Sequence, residues 1–469
     1  MTVAGFPFSM PTAIRLLGAT ALCALLPLHA WAQDKPALVA LRGLAPVASL
    51  PHSQAGRAAL SANYTVTGGI QRGTLQQPTL LPLPDQRQQA LRDIFITGGN
   101  LAELTDGFGS TLGDAYQARA HYIDRTHFTA ISPAASAVIA YAESASETDS
   151  RAAKFFFANA TTDGHTPVSP EAGAILKDAG GVTDVFGRAY HHEAGTSGND
   201  AYGNSRPFQT EPTTAVISGP DYLGVRTDNL AYANGPYMML VNSPSYPSGH
   251  TSYGYTGALV LAMLVPDRYP ELVVRAAEYG NSRIIAGAHY AMDVLGGRTL
   301  ALYSMAHLLA NDPAYVGRSF NHAPMITDFR AAVTKARADV TNVLQANCGD
   351  TLAACATQDR GRFNQPEFDA AFIAATQTYG LPVVFPAQAG RTEDVGKLAP
   401  EAGYLLTVAY PTLSLDKADR ILTETESPGG GFLDNGSGFG VYSRLDLYAA
   451  ARRAAGSNAM PGAASDRAH

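Results

Sequence analysis

Between residues 85 and 309 apolar side chains return every third or fourth position: Ala90, Leu91, Ile94 and Phe95, then Leu104, Phe108, Leu112 and Tyr116. That interval is the period of a helix with one buried face, and segments alternating apolar with polar are few. The middle of the chain is thereby confined to a mostly α architecture. Further helical windows fall at 134–145, 171–179, 251–264, 270–279 and 288–309, with two more at 326–346 and 364–379. Short candidates at 416–422 and 442–451 flank the turn Ser427-Pro428-Gly429-Gly430-Gly431.

The 469 residues are 46% hydrophobic and 16% charged, enough apolar surface for a sizeable core and too little charge for a disordered chain. Asp plus Glu exceed Lys plus Arg by 40 to 33, which argues against general binding to nucleic acid or to anionic membranes.

Five stretches differ in texture. Residues 1–32 read as a signal peptide: Arg15 is their only charge, an apolar run follows to Leu28, and Ala30-Trp31-Ala32 offers small residues at the cleavage positions. Residues 33–84, rich in Pro, Gly, Thr and Gln, show no sustained period and read as an extended arm. Residues 85–310 form the catalytic domain, 311–455 a mostly helical extension, and 456–469 a disordered tail. No later stretch approaches the about 18 apolar residues of a membrane span. The expectation is an exported protein, periplasmic or secreted, with no stable membrane insertion after cleavage. Cys348 and Cys355 then remain, with six residues between them, and an oxidising compartment predicts a local disulfide.

Three clusters carry chemistry: Ser205-Arg206-Pro207-Phe208, then Pro247-Ser248-Gly249-His250, then Ser282-Arg283 followed by His289 and Asp293. Ser248 and Gly249 open a helical run, so their amides can face an anion at a helix N-terminus. Glycine there lets the backbone approach the ligand without an intervening Cβ. His250 follows, placed to donate a proton. His289 and Asp293 stand four apart, which on a helix puts both on one face. A carboxylate on one ring nitrogen makes the other a better base or nucleophile. Arg206 and Arg283 offer planar forks matched to phosphate oxygens. Together these are the parts for phosphoryl transfer through a covalent histidine.

In this order and at these spacings the clusters resemble the type-2 phosphatidic acid phosphatase superfamily, whose pattern is K-x(6)-R-P, P-S-G-H and S-R-x(5)-H-x(3)-D. Pro247-Ser248-Gly249-His250-Thr251, with Gly254 and Tyr255, looks most like the bacterial class A non-specific acid phosphatases, whose site is shared with vanadium haloperoxidases. The resemblance covers roughly residues 84–309. It implies an all-α fold with a helical-bundle core and a hydrolase without metal or other cofactor. In that reading His289 attacks phosphorus, Asp293 orients it and His250 protonates the leaving oxygen. Arg206, Arg283, Ser248 and the Gly249 amide hold the phosphoryl oxygens.

The chain departs from the pattern at the lysine. Seven residues before Arg206 stands Asn199, which carries no charge. Arg188, Lys177 or Arg226 is expected to substitute, or turnover is slow.

The expected function is an exported, broadly specific acid phosphatase acting on small-molecule phosphomonoesters, with an acidic optimum because His250 must carry its proton. A vanadium-dependent haloperoxidase, for which vanadate would be the cofactor, is the first alternative. Gly257 stands where bromoperoxidases of the family carry another histidine. A lipid phosphate phosphatase and a catalytically weakened phosphate-binding protein are the others, and homo-oligomerisation stays open. His191-His192-Glu193 reads as a polar helix face rather than a metal site, and Asp434-Asn435-Gly436-Ser437-Gly438 as a plain turn. Tyr253, Tyr255 and Tyr290 are candidate pocket linings.

Overall fold

A computed structural model describes residues 35–75, 78–158, 169–194, 202–210, 216–229 and 240–458. Helix follows helix: α1 (Lys35–Leu44), α2 (Gln54–Arg72), α3 (Leu83–Arg92), α4 (Ser110–Gln117), α5 (Pro133–Phe157) and α6 (Pro170–Asp178). Then come α7 (Gly249–Leu264), α8 (Tyr269–Ile285), α9 (Ala291–Leu309), α10 (Phe329–Cys348), α11 (Leu352–Gln358), α12 (Pro366–Thr378), α13 (Leu415–Thr425) and α14 (Leu447–Asn458), joined by shorter helical turns. Among the described residues the only strands are β1 (Ser218–Pro220) and β2 (Arg226–Asp228), paired antiparallel with Gly219 opposite Thr227. The fold is all-α, as the apolar spacing requires.

The helices begin where local chemistry starts them. Ser132 accepts the Ala135 N–H ahead of α5, with Pro133 in the first turn, and Asp328 accepts the Ala331 N–H ahead of α10. Such caps satisfy amides that the helix itself leaves open, at about 1 kcal/mol each. Gly349, at φ +76°, ends α10 in the left-handed region that glycine adopts at least cost.

The core is built on α7, α8 and α9. α9 is buried along its whole length and α7 nearly so, which is why both are apolar around most of their circumference. α7 and α8 approach closely because Gly254 has no side chain: a Cβ there would stand 1.9 Å from the Tyr279 ring.

The expectation of an extended arm over 33–84 is overturned from Lys35 onward. α1 and α2 are helices packed into the core, and α2 binds the start of α9 and the end of α8 with polar side chains. Asn63 accepts the Met292 N–H at 2.9 Å, Thr67 accepts the Ala291 N–H at 3.1 Å, and Gln71 donates to Ile284 O at 3.0 Å. These three residues sit four apart, on one face of α2, and all are buried. Their periodicity is polar, so a search for apolar periodicity passes over it.

α5 differs from its window in the same way. The sequence reading stops at residue 145, while the helix runs on to Phe157. Beyond Ala145 its buried face is polar: Ser146 shares a hydrogen bond with Thr256 at 2.8 Å, and Asp149 accepts from the Tyr315 hydroxyl at 2.9 Å.

The segment read as an extension, 311–455, packs on the core, and Gln33–His469 clusters as one unit. Buried Arg298 of α9 donates to Thr376 O, Gln377 O and Ser443 O, and Arg337 of α10 donates to Met263 O at 2.7 Å and to Val408 O. Buried guanidinium groups need such carbonyl partners. Cys348 and Cys355 are joined in a disulfide between the end of α10 and α11. The signal peptide lies outside the described residues. So does the expected tail from residue 459 on, while α14 continues to Asn458, past the boundary set at 455.

Candidate active site

Two helix N-termini and one turn assemble the site. Ser248 caps α7: its Oγ accepts from the Thr251 N–H at 3.0 Å and the Thr251 hydroxyl at 2.9 Å. Its own hydroxyl proton is the donor it retains. Gly249 and His250 are the first residues of α7. The Ser248 N–H donates to Asp293 O at 3.0 Å, which ties the starts of α7 and α9 together.

His289 corrects one expectation. It precedes α9 rather than riding on it, and only Asp293 lies in the helix. The two still meet, because the Asp293 carboxylate turns back to accept the Tyr290 N–H at 2.8 Å as an N-terminal cap. That places its Oδ2 3.4 Å from His289 Nδ1. The Ser245 hydroxyl donates to the same oxygen and lies 3.5 Å from the same ring nitrogen.

The other nitrogen of His289 faces the reaction space. Nε2 stands 2.9 Å from His250 Nδ1 and 3.0 Å from Arg206 Nη1. The two rings lie nearly edge to face, with centroids 5.1 Å apart. Arg206 is held on every side: Nε donates to Ser243 O at 2.8 Å, Nη1 to Ala288 O at 2.9 Å, and Nη2 to Ser243 Oγ at 3.2 Å. Arg283 is equally buried, donates to Ala90 O at 2.9 Å and lies with its guanidinium 4.8 Å from the Tyr279 ring centre.

Electrostatics follow from burial and from the crowd of cations. Burial lowers the His250 pKa well below the ordinary histidine value, and the charges of Arg283, Arg206 and Lys154 lower it further. His289 is lowered in the same way, first by burial and then by Arg206, with His250, Lys154 and Arg283 adding to it. Burial pushes Asp293 up to about 7, although Ser245, the Tyr290 N–H, Arg206 and Lys154 all favour its charged form. The site gathers cations around two imidazoles whose protonation burial disfavours, the setting an oxyanion completes.

His250, His289, Asp293, Arg206, Ser248 and Gly249 are thus brought together, and Arg283 acts on both rings. Asn199 lies outside the described residues. The cations expected to replace the missing lysine do not: Arg188, Lys177 and Arg226 are exposed side chains. Lys154, on α5, stands there instead, with Nζ 3.4 Å from Ser243 Oγ. Sequence reading missed Lys154, Ser243 and Ser245. The two serines border Pro247-Ser248-Gly249-His250 in the chain, and Lys154 follows Ser146 and Ser150 at helical spacing, the one trace it leaves.

The remaining candidates resolve elsewhere. His191-His192-Glu193 is not on a helix: the helical turn Val185–Ala189 ends before it, and His191 has φ +60°. Among the described residues no group of three or more His, Cys, Asp or Glu could hold a metal ion. Asp434 organises a turn, accepting the Gly430 N–H at 2.7 Å beside Arg444. Tyr290 packs against Phe186 and Tyr190, Tyr255 lines a small interior cavity with Arg298, and Tyr253 lies within the field of the Glu147 carboxylate. Gly257 faces the core, where a Cβ would stand 2.5 Å from Leu101, so a side chain there would not enter the site.

Comparison with known proteins agrees with this geometry. Residues 196–314 match the family model of the PAP2 superfamily. A non-specific acid phosphatase of Salmonella typhimurium is 50% identical over 64 residues, 14% of this chain and 26% of that protein. An acid phosphatase of Zymomonas mobilis is 45% identical over 64 residues, covering 14% and 24%. A non-specific acid phosphatase of Providencia stuartii is 40% identical over 72 residues, covering 15% and 29%. The chain spans about a quarter of the length of the curated relatives it matches. Both histidines, both arginines and Asp293 fall within the family match, so over residues 196–314 the chain is similar to the PAP2 superfamily, and over a 64-residue stretch to a bacterial non-specific acid phosphatase.

Proposed function

We propose that this chain is an exported acid phosphatase that hydrolyses phosphate monoesters of varied leaving group through a phosphohistidine. The observation that carries the reading is the surroundings of His289 Nε2, which has Arg206 at 3.0 Å and His250 at 2.9 Å while a carboxylate backs the opposite nitrogen. A nucleophile, an acid and an anion clamp converge on one small volume.

The steps follow from that placement. The Nε2 lone pair attacks phosphorus as the bond to the leaving oxygen breaks. His250 gives its proton to that oxygen, a contribution of about 10²–10⁴ in rate. Arg206, Arg283, the Gly249 amide and the Ser248 hydroxyl hold the three remaining oxygens while charge redistributes. Water then attacks the phosphohistidine and gives its proton to His250, and the N–P bond breaks to release orthophosphate. No cofactor enters, since the cations are the chain's own.

Export rests on residues 1–32 and agrees with the Cys348–Cys355 disulfide, which suits an oxidising compartment. Among the described residues no helix is long and apolar enough to cross a membrane.

The test is His289→Ala, assayed with p-nitrophenyl phosphate and by acid-quench trapping of labelled phosphohistidine. Both signals should vanish. Unchanged phosphate release would overturn the assignment. A panel of phosphomonoesters, lipid phosphates and pyrophosphate, with vanadate, peroxide and halide in parallel, separates this function from the haloperoxidase and lipid phosphatase alternatives.

A further inference from the structure

The motif segment leaves the site one cation short of its family pattern, and α5 points two polar side chains at the same place. Lys154 and Ser150 lie four residues apart, so they share a face of the helix, and both are buried. Lys154 Nζ reaches Ser243 Oγ at 3.4 Å, the same hydroxyl that Arg206 Nη2 reaches at 3.2 Å. A Cβ built on Gly249 would stand 3.5 Å from Lys154 Nζ and 3.5 Å from Ser150 Oγ. The two side chains therefore end opposite the first turn of α7, across the space that the missing side chain of Gly249 leaves open. Ser150 Oγ makes no hydrogen bond among the described residues, although it is buried. A buried hydroxyl left so keeps its desolvation cost uncompensated, and such a group calls for a partner that arrives from outside.

We propose that Lys154 and Ser150 are phosphoryl-binding side chains, completing from α5, outside the stretch that matches the family, the cradle whose sequence motif has lost its lysine at position 199. The inference rests on the phosphatase reading of the same site. In it the Lys154 ammonium contacts a non-bridging oxygen beside the Ser243 hydroxyl that it shares with Arg206, and the Ser150 hydroxyl donates to the same or the adjacent oxygen. The charge also reaches the reacting groups, since Lys154 is among the cations acting on His250, His289 and Asp293.

The experiment compares full-length wild type with Lys154→Met, Lys154→Arg and Ser150→Ala. It measures kcat and KM on p-nitrophenyl phosphate, the inhibition constant of inorganic orthophosphate, and the pH profile. Lys154→Met should lose roughly 10- to 100-fold in kcat/KM and weaken orthophosphate inhibition by a similar factor, as the loss of a charged hydrogen bond predicts. Lys154→Arg should recover part of both. Ser150→Ala should weaken orthophosphate roughly 3- to 10-fold.

A readout that a structural lysine would not move is the basic limb of kcat/KM. His250 faces Arg206, Arg283 of α8, His289 and Asp293 at the start of α9, and Lys154 of α5. Removing one of these cations raises the histidine pKa, so the limb should shift to higher pH in Lys154→Met. A folded Lys154→Met with wild-type kcat/KM and orthophosphate inhibition would overturn the proposal and leave the phosphatase reading standing. Should Lys154→Met fail to fold, unaltered orthophosphate inhibition in both Lys154→Arg and Ser150→Ala would overturn it. Wild type that neither hydrolyses the ester nor binds orthophosphate would remove the phosphatase reading itself.

Discussion

α7 and α9 are apolar around most of their circumference, whereas α2 and α5, packed beside them, turn rows of polar side chains inward. The first pair keeps its chemistry at its N-termini, in Ser248, Gly249 and His250 and in the turn that joins His289 to Asp293. The second pair spreads polar groups along its length: Asn63, Thr67 and Gln71 on α2, and Glu143, Ser146, Asp149, Ser150 and Lys154 on α5. The difference reflects two ways of burying polar atoms at tolerable cost. A helix end already has open amides that attract acceptors and anions, so a short motif suffices. A helix middle has none to offer, so each buried polar side chain must find its partner on another element. α2 finds the open amides of α9; α5 finds Thr256, Tyr315 and Ser243.

That contrast can be broken by substitution. Within α7, Gly254 and Gly249 should respond in opposite ways. Gly254→Ala drives a methyl into the buried Tyr279 ring and should destabilise the protein by about 3 kcal/mol or more, read as a lowered denaturation midpoint. Gly249→Ala meets its nearest neighbours at 3.5 Å, ordinary contact, and should leave stability within about 0.5 kcal/mol. It should weaken orthophosphate inhibition roughly tenfold all the same, about 1.4 kcal/mol, because the methyl occupies the anion's space. Equal destabilisation at both positions would erase the distinction between packing and binding glycines.

On the polar side, Asn63→Ala removes the acceptor for the Met292 N–H and should cost about 1–3 kcal/mol in chemical denaturation. The specific activity of the molecules still folded should fall much less, since Asn63 touches no reacting group. Activity lost with stability intact would mean that α2 positions the site instead of holding the start of α9.

The smallest expected effect is in the pH profile. In the free enzyme burial, Arg283, Arg206 and Lys154 lower the His250 pKa, so its protonated form is lost below the ordinary histidine value as pH rises. The basic limb of kcat/KM, which reports free enzyme, should therefore lie below about pH 6.5. Bound phosphoryl oxygens neutralise part of that positive field and raise the pKa, so the limb of kcat should lie at higher pH. Coincident limbs would show that the cations do not set the histidine's proton affinity.

Much of the site was legible before any coordinates. Arg206, Ser248, Gly249, His250, Arg283, His289 and Asp293 are all named by short patterns, and hydrogen bonds link five of them, with Gly249 next to Ser248 at the start of α7. The seventh, Arg283, joins through its charge on both rings. The fold class was equally legible, and every helix window overlaps a helix observed. The failures have separate causes. The supposed extended arm is α1 and α2, and α5 was cut short at 145: α2 and the second half of α5 bury rows of polar side chains that an apolar count passes over, while α1 buries Ala37, Ala40, Leu41 and Leu44 over only ten residues. His289 was placed on a helix it only precedes, since the four-residue spacing to Asp293 fits a cap turn as well as a helix face.

The chain by itself determined its helical class, its disulfide pair and the local geometry of each motif, because those depend on residues within one turn or one loop of each other. Which cation stands in for the absent lysine was decided only by tertiary structure. Lys154 lies 52 positions before Arg206 in the chain, and no local pattern records how closely α5 passes the start of α7. That separation is set by the packing of whole helices, and the reach of one ammonium across it follows from the packing alone.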